Sequence, residues 1–129
     1  MEYLTEEDLK TANHEVIKES GGANGAVNEA NLHHVCDRVK THGKNVIEKA
    51  SFYLFYLAFQ AHAFTDGNKR TSIAACVAFL EKNGHLLDAT DEELIGMALL
   101  VASGNFSLKQ TQDWLKERVK NKQKDKKRD

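Results

Sequence analysis

Apolar side chains recur every three or four residues through most of the chain, and this spacing predicts a series of helices. Helix 1 is expected from Thr5 to about Ser20, and helix 2 from Asn28 to about Lys40. Two further segments, Val46 to Ala63 and about Asn68 to Asn83, are apolar almost all round, which is typical of buried helices. Both are too long for ordinary strands, so we interpret them as two buried central helices.

Two more helices are predicted in the last third of the chain. One runs from Thr90 to just before Gly104, and the other begins at a capping box formed by Ser107 and Gln110. The chain contains no proline, so glycines such as those of the turn Gly21 to Gly25 separate the helices. The pattern predicts an all-α, single-domain bundle of about six helices, with a small hairpin in one of the glycine turns.

The composition supports one domain of this kind. A length of 129 residues leaves no room for a second catalytic domain, and 41% apolar residues can form a core without disulfides or metals. Cys36 and Cys76 lack metal-ligand spacing, so we expect buried free thiols in a reducing compartment. No apolar run approaches the roughly 20 residues of a membrane span, and residues 1–4 do not resemble a signal peptide. We therefore expect a cytoplasmic protein.

The charges are distributed unevenly along the chain. Residues 1–115 carry 10 basic and 16 acidic residues, whereas residues 116–129 carry 8 basic and 3 acidic residues. We therefore divide the chain into a helical domain, residues 1–115, and a basic C-terminal tail, residues 116–129. The tail has no aromatic side chain that could stack on bases, so nucleic-acid binding is disfavoured and a solvated helix end is the simpler interpretation.

The candidate chemistry lies in the polar segment of residues 62–70, which joins the two central helices. Gly67 and Asn68 lead directly into a helix, whose first N–H groups lack partners within the helix and attract an anion. Lys69 and Arg70 place two cations beside this anion site. These residues predict that the ligand carries phosphate.

Three other residues of the segment complete the prediction. Asp66 supplies one hard oxygen ligand, as Mg²⁺ needs when it is shared with substrate phosphates, so ATP with Mg²⁺ fits. The imidazole of His62 is suited to removing a proton from an attacking hydroxyl, and Phe64 is expected to anchor the segment in the core. Each feature alone is compatible with a helix cap, a turn or a solvated ion pair, but their occurrence within nine residues favours a phosphate site.

The segment HAFTDGNKR, residues 62–70, resembles the active-site motif of the Fic/Doc superfamily, and its ending resembles that of the death-on-curing (Doc) branch. The likeness extends over the helical core from Thr5 to about Gly84. It implies an all-helical Fic fold whose loop binds a nucleoside triphosphate with Mg²⁺ and modifies a hydroxyl on a target protein. The roles that it implies are general base for His62, core anchor for Phe64, metal contact for Asp66, and phosphate contacts for Gly67, Asn68, Lys69 and Arg70.

The segment departs from the adenylylating Fic pattern in two places. Lys69 stands where those enzymes usually have a second glycine. Those enzymes often have another arginine shortly after the one that matches Arg70, whereas Thr71 to Ile73 contain none. A lysine fills space that a glycine leaves for a phosphate, so phosphoryl transfer is favoured over AMP transfer. The resemblance to the Doc branch implies kinase-like inactivation of translation elongation factor Tu on a threonine, which arrests growth until an antitoxin binds.

Other hypotheses stay open at this point. The same fold could transfer AMP from ATP to a protein hydroxyl, or the chain could be an inactive helical binding module. We find no inhibitory run of the kind that some Fic proteins carry (Ser or Thr, three residues, Glu, then Gly or Asn), so control is expected from another chain. The run His33-His34-x-Cys36 has metal-ligand chemistry but lacks a second cluster, and a partly exposed helix is the simpler interpretation.

Overall fold

The structure is a computed structural model that describes residues 1–25 and 27–122. Within this part the predicted all-α fold is confirmed, with a small two-stranded sheet added to it. The elements follow in the order α1 (Glu6–Ser20), α2 (Glu29–Thr41), α3 (Val46–Phe55), a π-helix (Tyr56–Gln60), α4 (Asn68–Lys82), β1 (His85–Leu87), α5 (Asp91–Ala102), α6 (Leu108–Arg118) and β2 (Val119–Asn121).

Most helices begin where the sequence predicts because a side chain caps each start. Thr5, Thr90 and Ser107 form full capping boxes at α1, α5 and α6, in which each hydroxyl accepts from the N–H three residues later. Asn28 and Asn45 cap α2 and α3 with their side-chain oxygens. Among the described α-helices, α4 alone begins without a side-chain cap.

The core lies around α3 and α4. Helix α4 packs against α1, α3, α5 and the π-helix, which is the arrangement of a central helix. Tyr53 and Leu54 of α3 and Phe79 and Leu80 of α4 are fully buried, so the prediction of two central helices is confirmed. The helix predicted from Val46 to Ala63 is present as far as Gln60, but it changes from α3 to the π-helix after Phe55, and its last two residues, Phe59 and Gln60, are exposed. Apolar periodicity does not distinguish these two helix types.

Lys49 is a charged residue within the apolar α3 and is only 6% exposed. Its Nζ donates to the carbonyl oxygens of Val39, Lys40 and His42 at 2.7, 3.1 and 3.2 Å. These carbonyls lie at the end of α2, where a helix lacks internal donors and favours a cation. The buried charge therefore joins α3 to the end of α2 and fixes the turn between them.

The sheet pairs the segment after α4 with the segment after α6. Strands β1 and β2 are antiparallel, with Leu86 opposite Lys120, and the Lys122 N–H donates to the Gly84 carbonyl at 2.8 Å. The prediction of a hairpin in a glycine turn is wrong, because the two strands are separated by α5 and α6. Of the predicted basic tail, residues 116–118 complete α6, 119–121 form β2, and 123–129 lie outside the described residues.

Cys36 and Cys76 are buried and form no disulfide, as predicted. Burial raises the pKa of the Cys36 thiol to about 11 and that of the Cys76 thiol to about 12. Both side chains therefore behave as small core residues rather than as reactive thiols. In the described part of the chain, no helix has the length and apolar character needed to cross a membrane.

Tyr53 provides a test of how the N-terminal segment is held. Its hydroxyl accepts from the Leu4 N–H at 3.0 Å and lies 3.4 Å from the Leu4 carbonyl oxygen, both in the core. Tyr53→Phe leaves the buried N–H without this acceptor, so we expect a loss of about 1–3 kcal/mol in the free energy of unfolding, measured by urea denaturation. Tyr3→Phe keeps the ring contact with Phe79 and is the control. Equal losses in the two variants would contradict this role.

Candidate active site

The segment between the π-helix and α4 forms the candidate active-site loop, residues 61–67. The chain leaves the π-helix at Ala61 and turns sharply at His62, the one non-glycine residue with a positive φ (46°) among the described residues. His62 is exposed, whereas its neighbours Ala61 and Ala63 are buried. A left-handed histidine after a π-helix is a costly backbone conformation of the kind that concentrates at functional sites. Two residues later, Phe64 is 5% exposed and packs in the core.

Gly67 sets the start of α4 and leaves its first turn open. Its φ of 78° and ψ of 15° are left-handed, and no side chain caps the helix. The first helical hydrogen bond runs from the Thr71 N–H to the Gly67 carbonyl at 2.8 Å. The N–H groups of Asn68, Lys69 and Arg70 therefore have no acceptor within the helix. The first turn also contains no acidic residue, so this helix end is free to attract an anion.

The Asn68 side chain bonds back to the loop that precedes it. Its Oδ1 accepts from the Phe64 N–H at 3.2 Å, and its Nδ2 donates to the Phe64 carbonyl at 2.9 Å. Both bonds close the loop into a compact ring. Asn68 thus contributes its backbone N–H to the open helix end, while its side chain holds the loop in shape.

A second asparagine, Asn13 of α1, holds the loop from outside. It is buried, and its Nδ2 donates to the Asp66 carbonyl at 2.8 Å and to the Thr71 Oγ1 at 3.1 Å. One amide therefore connects α1 to the loop and to the first turn of α4. The site prediction did not include Asn13, although the sequence offered a signal. Asn13 lies midway between Leu9 and Ile17 on the buried stripe of α1, where a polar residue needs a partner.

The glycine turn after α1 packs against Thr65 and Asp66 of the loop. The Ala23 N–H donates to the Asp66 Oδ2 at 2.9 Å. A Cβ atom at Gly22 would lie 3.3 Å from the Asp66 Cβ, and one at Gly25 would overlap the Thr65 side chain. Glycine is thus required here by close approach, and the turn orients the Asp66 carboxylate.

These residues surround a cavity of about 250 Å³. Its walls come from the end of α1, the glycine turn and the start of α4, and they are formed by Val16, Ile17, Ser20, Gly21, Gly22, Asp66, Gly67, Asn68, Lys69 and Arg70. The side chains of Asp66, Lys69 and Arg70 are exposed to solvent at this cavity. Two cations and an uncapped helix end favour an anionic ligand, and one carboxylate can share a divalent cation with it. We call this cavity the cradle.

The structure brings most of the predicted site residues to the cradle. Asp66 to Arg70 line it, whereas His62 lies in the wall of a neighbouring cavity between α2 and the π-helix. His33 and His34, which the sequence offered as weaker metal-ligand candidates, do not line the cradle. His33 lies 3.6 Å from Glu6 and His34 accepts from the Arg38 Nε at 3.2 Å. Among the described residues, no three His, Cys, Asp or Glu side chains are grouped as a metal site would require.

The fold is a helical bundle in which a polar loop joins the two central helices. The sequence model of the Fic/DOC family matches residues 3–80, which include α1 to α3 and most of α4 with the entire loop. The chain belongs to the Fic/Doc family. Members of this family are typically transferases that act on proteins, and they generally use ATP, often with Mg²⁺. A comparison with curated protein sequences gave no match.

Two glycines with nearly the same positive φ test the packing of the loop. Gly67 and Gly84 have φ of 78° and 80°, so alanine is strained at either position. A Cβ at Gly84 meets nothing within 4 Å, whereas one at Gly67 would lie 3.1 Å from the Ile17 Cδ1 and 3.2 Å from the Asn13 Nδ2.

We expect Gly84→Ala to lower the free energy of unfolding by about 1 kcal/mol from backbone strain alone. Gly67→Ala should lower the free energy of unfolding by about 1 kcal/mol more than Gly84→Ala does, because α1 must move away from the added methyl group. Urea denaturation of both variants measures the difference. Indistinguishable midpoints would mean that α1 does not pack tightly on the loop.

Asn13 is testable by an isosteric change that removes its donor. Asn13→Asp places a carboxylate against the Asp66 carbonyl, and we expect a loss of about 1–3 kcal/mol in the free energy of unfolding at pH 7. Since burial favours the protonated acid in the folded state, the loss should be smallest below about pH 4, where its single O–H can replace one of the two donated bonds, and grow as the pH rises above that. Thr11→Asp, on the exposed face of the same helix, is the control. A loss that is independent of pH would argue against the donor role.

Proposed function

We propose that this chain is a Doc-like toxin that transfers the γ-phosphoryl group of ATP to a serine or threonine hydroxyl of a target protein. The observation that supports this best is the cradle, in which an uncapped helix end, Lys69 and Arg70 meet the carboxylate of Asp66 in one open cavity. Phosphoryl transfer depends mainly on positioning and on the neutralisation of developing charge. The cradle supplies both.

The residues of the cradle fit ATP with Mg²⁺. Asp66 would hold the cation, since Mg²⁺ commonly takes one carboxylate together with substrate phosphates. Its Oδ2 is already oriented by the Ala23 N–H, which keeps the carboxylate at the edge of the cavity. When bound, the cation neutralises charge on the phosphates. Lys69, Arg70 and the N–H groups of the first turn of α4 would bind the phosphate oxygens.

The proposed reaction assigns proton transfer to His62. Its imidazole removes the proton from the acceptor hydroxyl as the oxygen attacks the γ-phosphorus. A new oxygen–phosphorus bond forms while the bond to the β,γ-bridging oxygen breaks, and ADP leaves with that electron pair. The buried neighbours of His62 and the anchor Phe64 hold the backbone, so the base is positioned before the substrate arrives.

Lys69 is the reason for preferring phosphoryl transfer to AMP transfer. It stands on the first turn of α4 in the wall of the cradle, where adenylylating Fic enzymes usually have a glycine. A lysine side chain occupies part of that space and adds a positive charge. The nucleotide would then present its terminal phosphate to the acceptor.

The resemblance to the Doc branch suggests which protein is modified and how the activity is regulated. Elongation factor Tu is the proposed target, its modification would arrest translation in the cytoplasm, and an antitoxin supplied as a separate chain would block the site. A groove of about 270 Å³ between α1, α4 and α5 has Arg70 in its wall, so a partner in this groove could reach the cradle.

The deciding experiment uses ATP labelled separately at the γ- and α-phosphates. Wild type, His62→Ala and the exposed control His33→Ala are incubated with Mg²⁺ and either purified elongation factor Tu or a bacterial lysate. We expect γ-label on protein with wild type and the control, and a rate lower by roughly 100-fold or more in His62→Ala. Label from the α-phosphate would establish AMP transfer instead, and no label in any sample would favour the inactive binding module.

Lys69→Gly tests the choice between the two transfers. Because the change removes a charge and opens the cradle, we expect weaker γ-label transfer and the appearance of α-label. The same assay measures both products, and Lys18→Gly serves as a control on an exposed position of α1. Unchanged product chemistry in Lys69→Gly would rule out the role given to Lys69.

A further inference from the structure

A second cavity adjoins the active-site loop at Ala61 and His62. It has a volume of about 440 Å³ and lies between α2 and the π-helix. His62 lies in its wall, whereas His62 does not line the cradle. We call it the α2 cavity. The proposed base therefore borders a cavity that is separate from the one with the phosphate-binding cations.

The two cavities differ in charge. The cradle contains Asp66, Lys69 and Arg70, whereas no Asp, Glu, Lys or Arg lines the α2 cavity. A triphosphate and its cation bind favourably where opposite charges are available. In an uncharged cavity they would lose their hydration without forming compensating ion pairs. The α2 cavity is thus suited to uncharged groups.

The geometry of phosphoryl transfer assigns the α2 cavity to the acceptor. The attacking and leaving oxygens lie roughly opposite each other across the phosphorus, and the base must lie within hydrogen-bond reach of the attacking hydroxyl. ADP must then leave on the side of the phosphorus away from His62. This step rests on the proposed function, and under it the cavity bordered by His62 receives the target rather than the nucleotide.

The walls of the α2 cavity have the character of a protein-contact site. Phe59 of the π-helix is 37% exposed and lies at the cavity with Tyr56, and Val35 forms a buried apolar wall. The Asn31 side chain donates to the Ala61 carbonyl and so holds the end of the π-helix against α2. Exposed aromatic side chains beside a pocket commonly anchor protein partners.

We infer that the α2 cavity binds the uncharged residues of the target protein beside the acceptor hydroxyl, with Phe59 as the anchor. The π-helix then has a function, because it places Phe59 in the wall of the cavity. It ends at Gln60, only two residues before His62, so the anchor and the base lie close together along the chain. Specificity for the target segment resides in the α2 cavity, and affinity for the nucleotide resides in the cradle.

The test measures KM values for the target and for ATP separately. The probe is elongation factor Tu or, if that protein is not modified, the lysate protein that receives γ-label, after purification. Phe59→Lys and Gln60→Asp each place a charge at the cavity, and Leu99→Lys is the matched control because Leu99 is 51% exposed and lies outside the lining. We expect both cavity variants to raise the KM for the target roughly 10-fold or more, with an unchanged KM for ATP.

A photo-cross-linking arm locates the occupant directly. Benzoylphenylalanine is placed at position 59 or, as the control, at position 99. A cross-link from position 59 to the peptide that carries the acceptor hydroxyl supports the inference. A raised KM for ATP in Phe59→Lys, or ATP protection of position 59 in the absence of target, would overturn it, because the nucleobase would then be the occupant.

The outcomes separate this inference from the proposed function. If wild type transfers no γ-label, the proposed function fails and the inference falls with it. If wild type transfers γ-label and both cavity variants keep the wild-type KM for the target, the proposed function stands and the inference alone is wrong. Circular dichroism of each variant excludes unfolding as the cause of a change.

Discussion

Two asparagine side chains give the active-site loop its shape, and the geometry of the site depends on them. Asn68 closes the loop by bonding to both backbone groups of Phe64, and Asn13 connects Asp66 to α1 and to α4. A loop of polar residues between two buried helices would otherwise leave backbone groups unpaired in the core. Since these amides satisfy them, His62 and Asp66 can remain exposed on a fixed backbone.

The start of α4 differs from those of the other described α-helices because no side chain caps it. Every other described α-helix begins with a side-chain cap, which uses one of the N–H groups that the helix leaves open. At α4 this position is Gly67, which has no side chain, and the side chain of Asn68 bonds backward to Phe64 rather than to the helix. The unpaired N–H groups, together with Lys69 and Arg70, remain available to an anion.

Local signals in the sequence predicted most of the fold, and long-range contacts produced the differences. The caps at Thr5, Thr90 and Ser107 act within three residues, so the sequence shows them directly. The π-helix after Phe55, the pairing of β1 with β2 and the buried cation of Lys49 depend on packing between distant segments. Hydrophobic spacing carries no information about such contacts, so the sequence did not predict the change of helix type, and the predicted hairpin was wrong.

The sequence by itself determined the helical architecture, the buried thiols and the residue types of the loop, because each depends on spacing within a few residues. Only the tertiary structure decided which distant groups meet that loop. Asn13 and Asp66 are 53 residues apart, and Ala23 and Asp66 are 43 apart. The separation of the cradle from the α2 cavity arises in the same way, since α1 and the glycine turn form one and α2 with the π-helix forms the other. Packing of the helices against each other creates both cavities, and no local pattern specifies that packing.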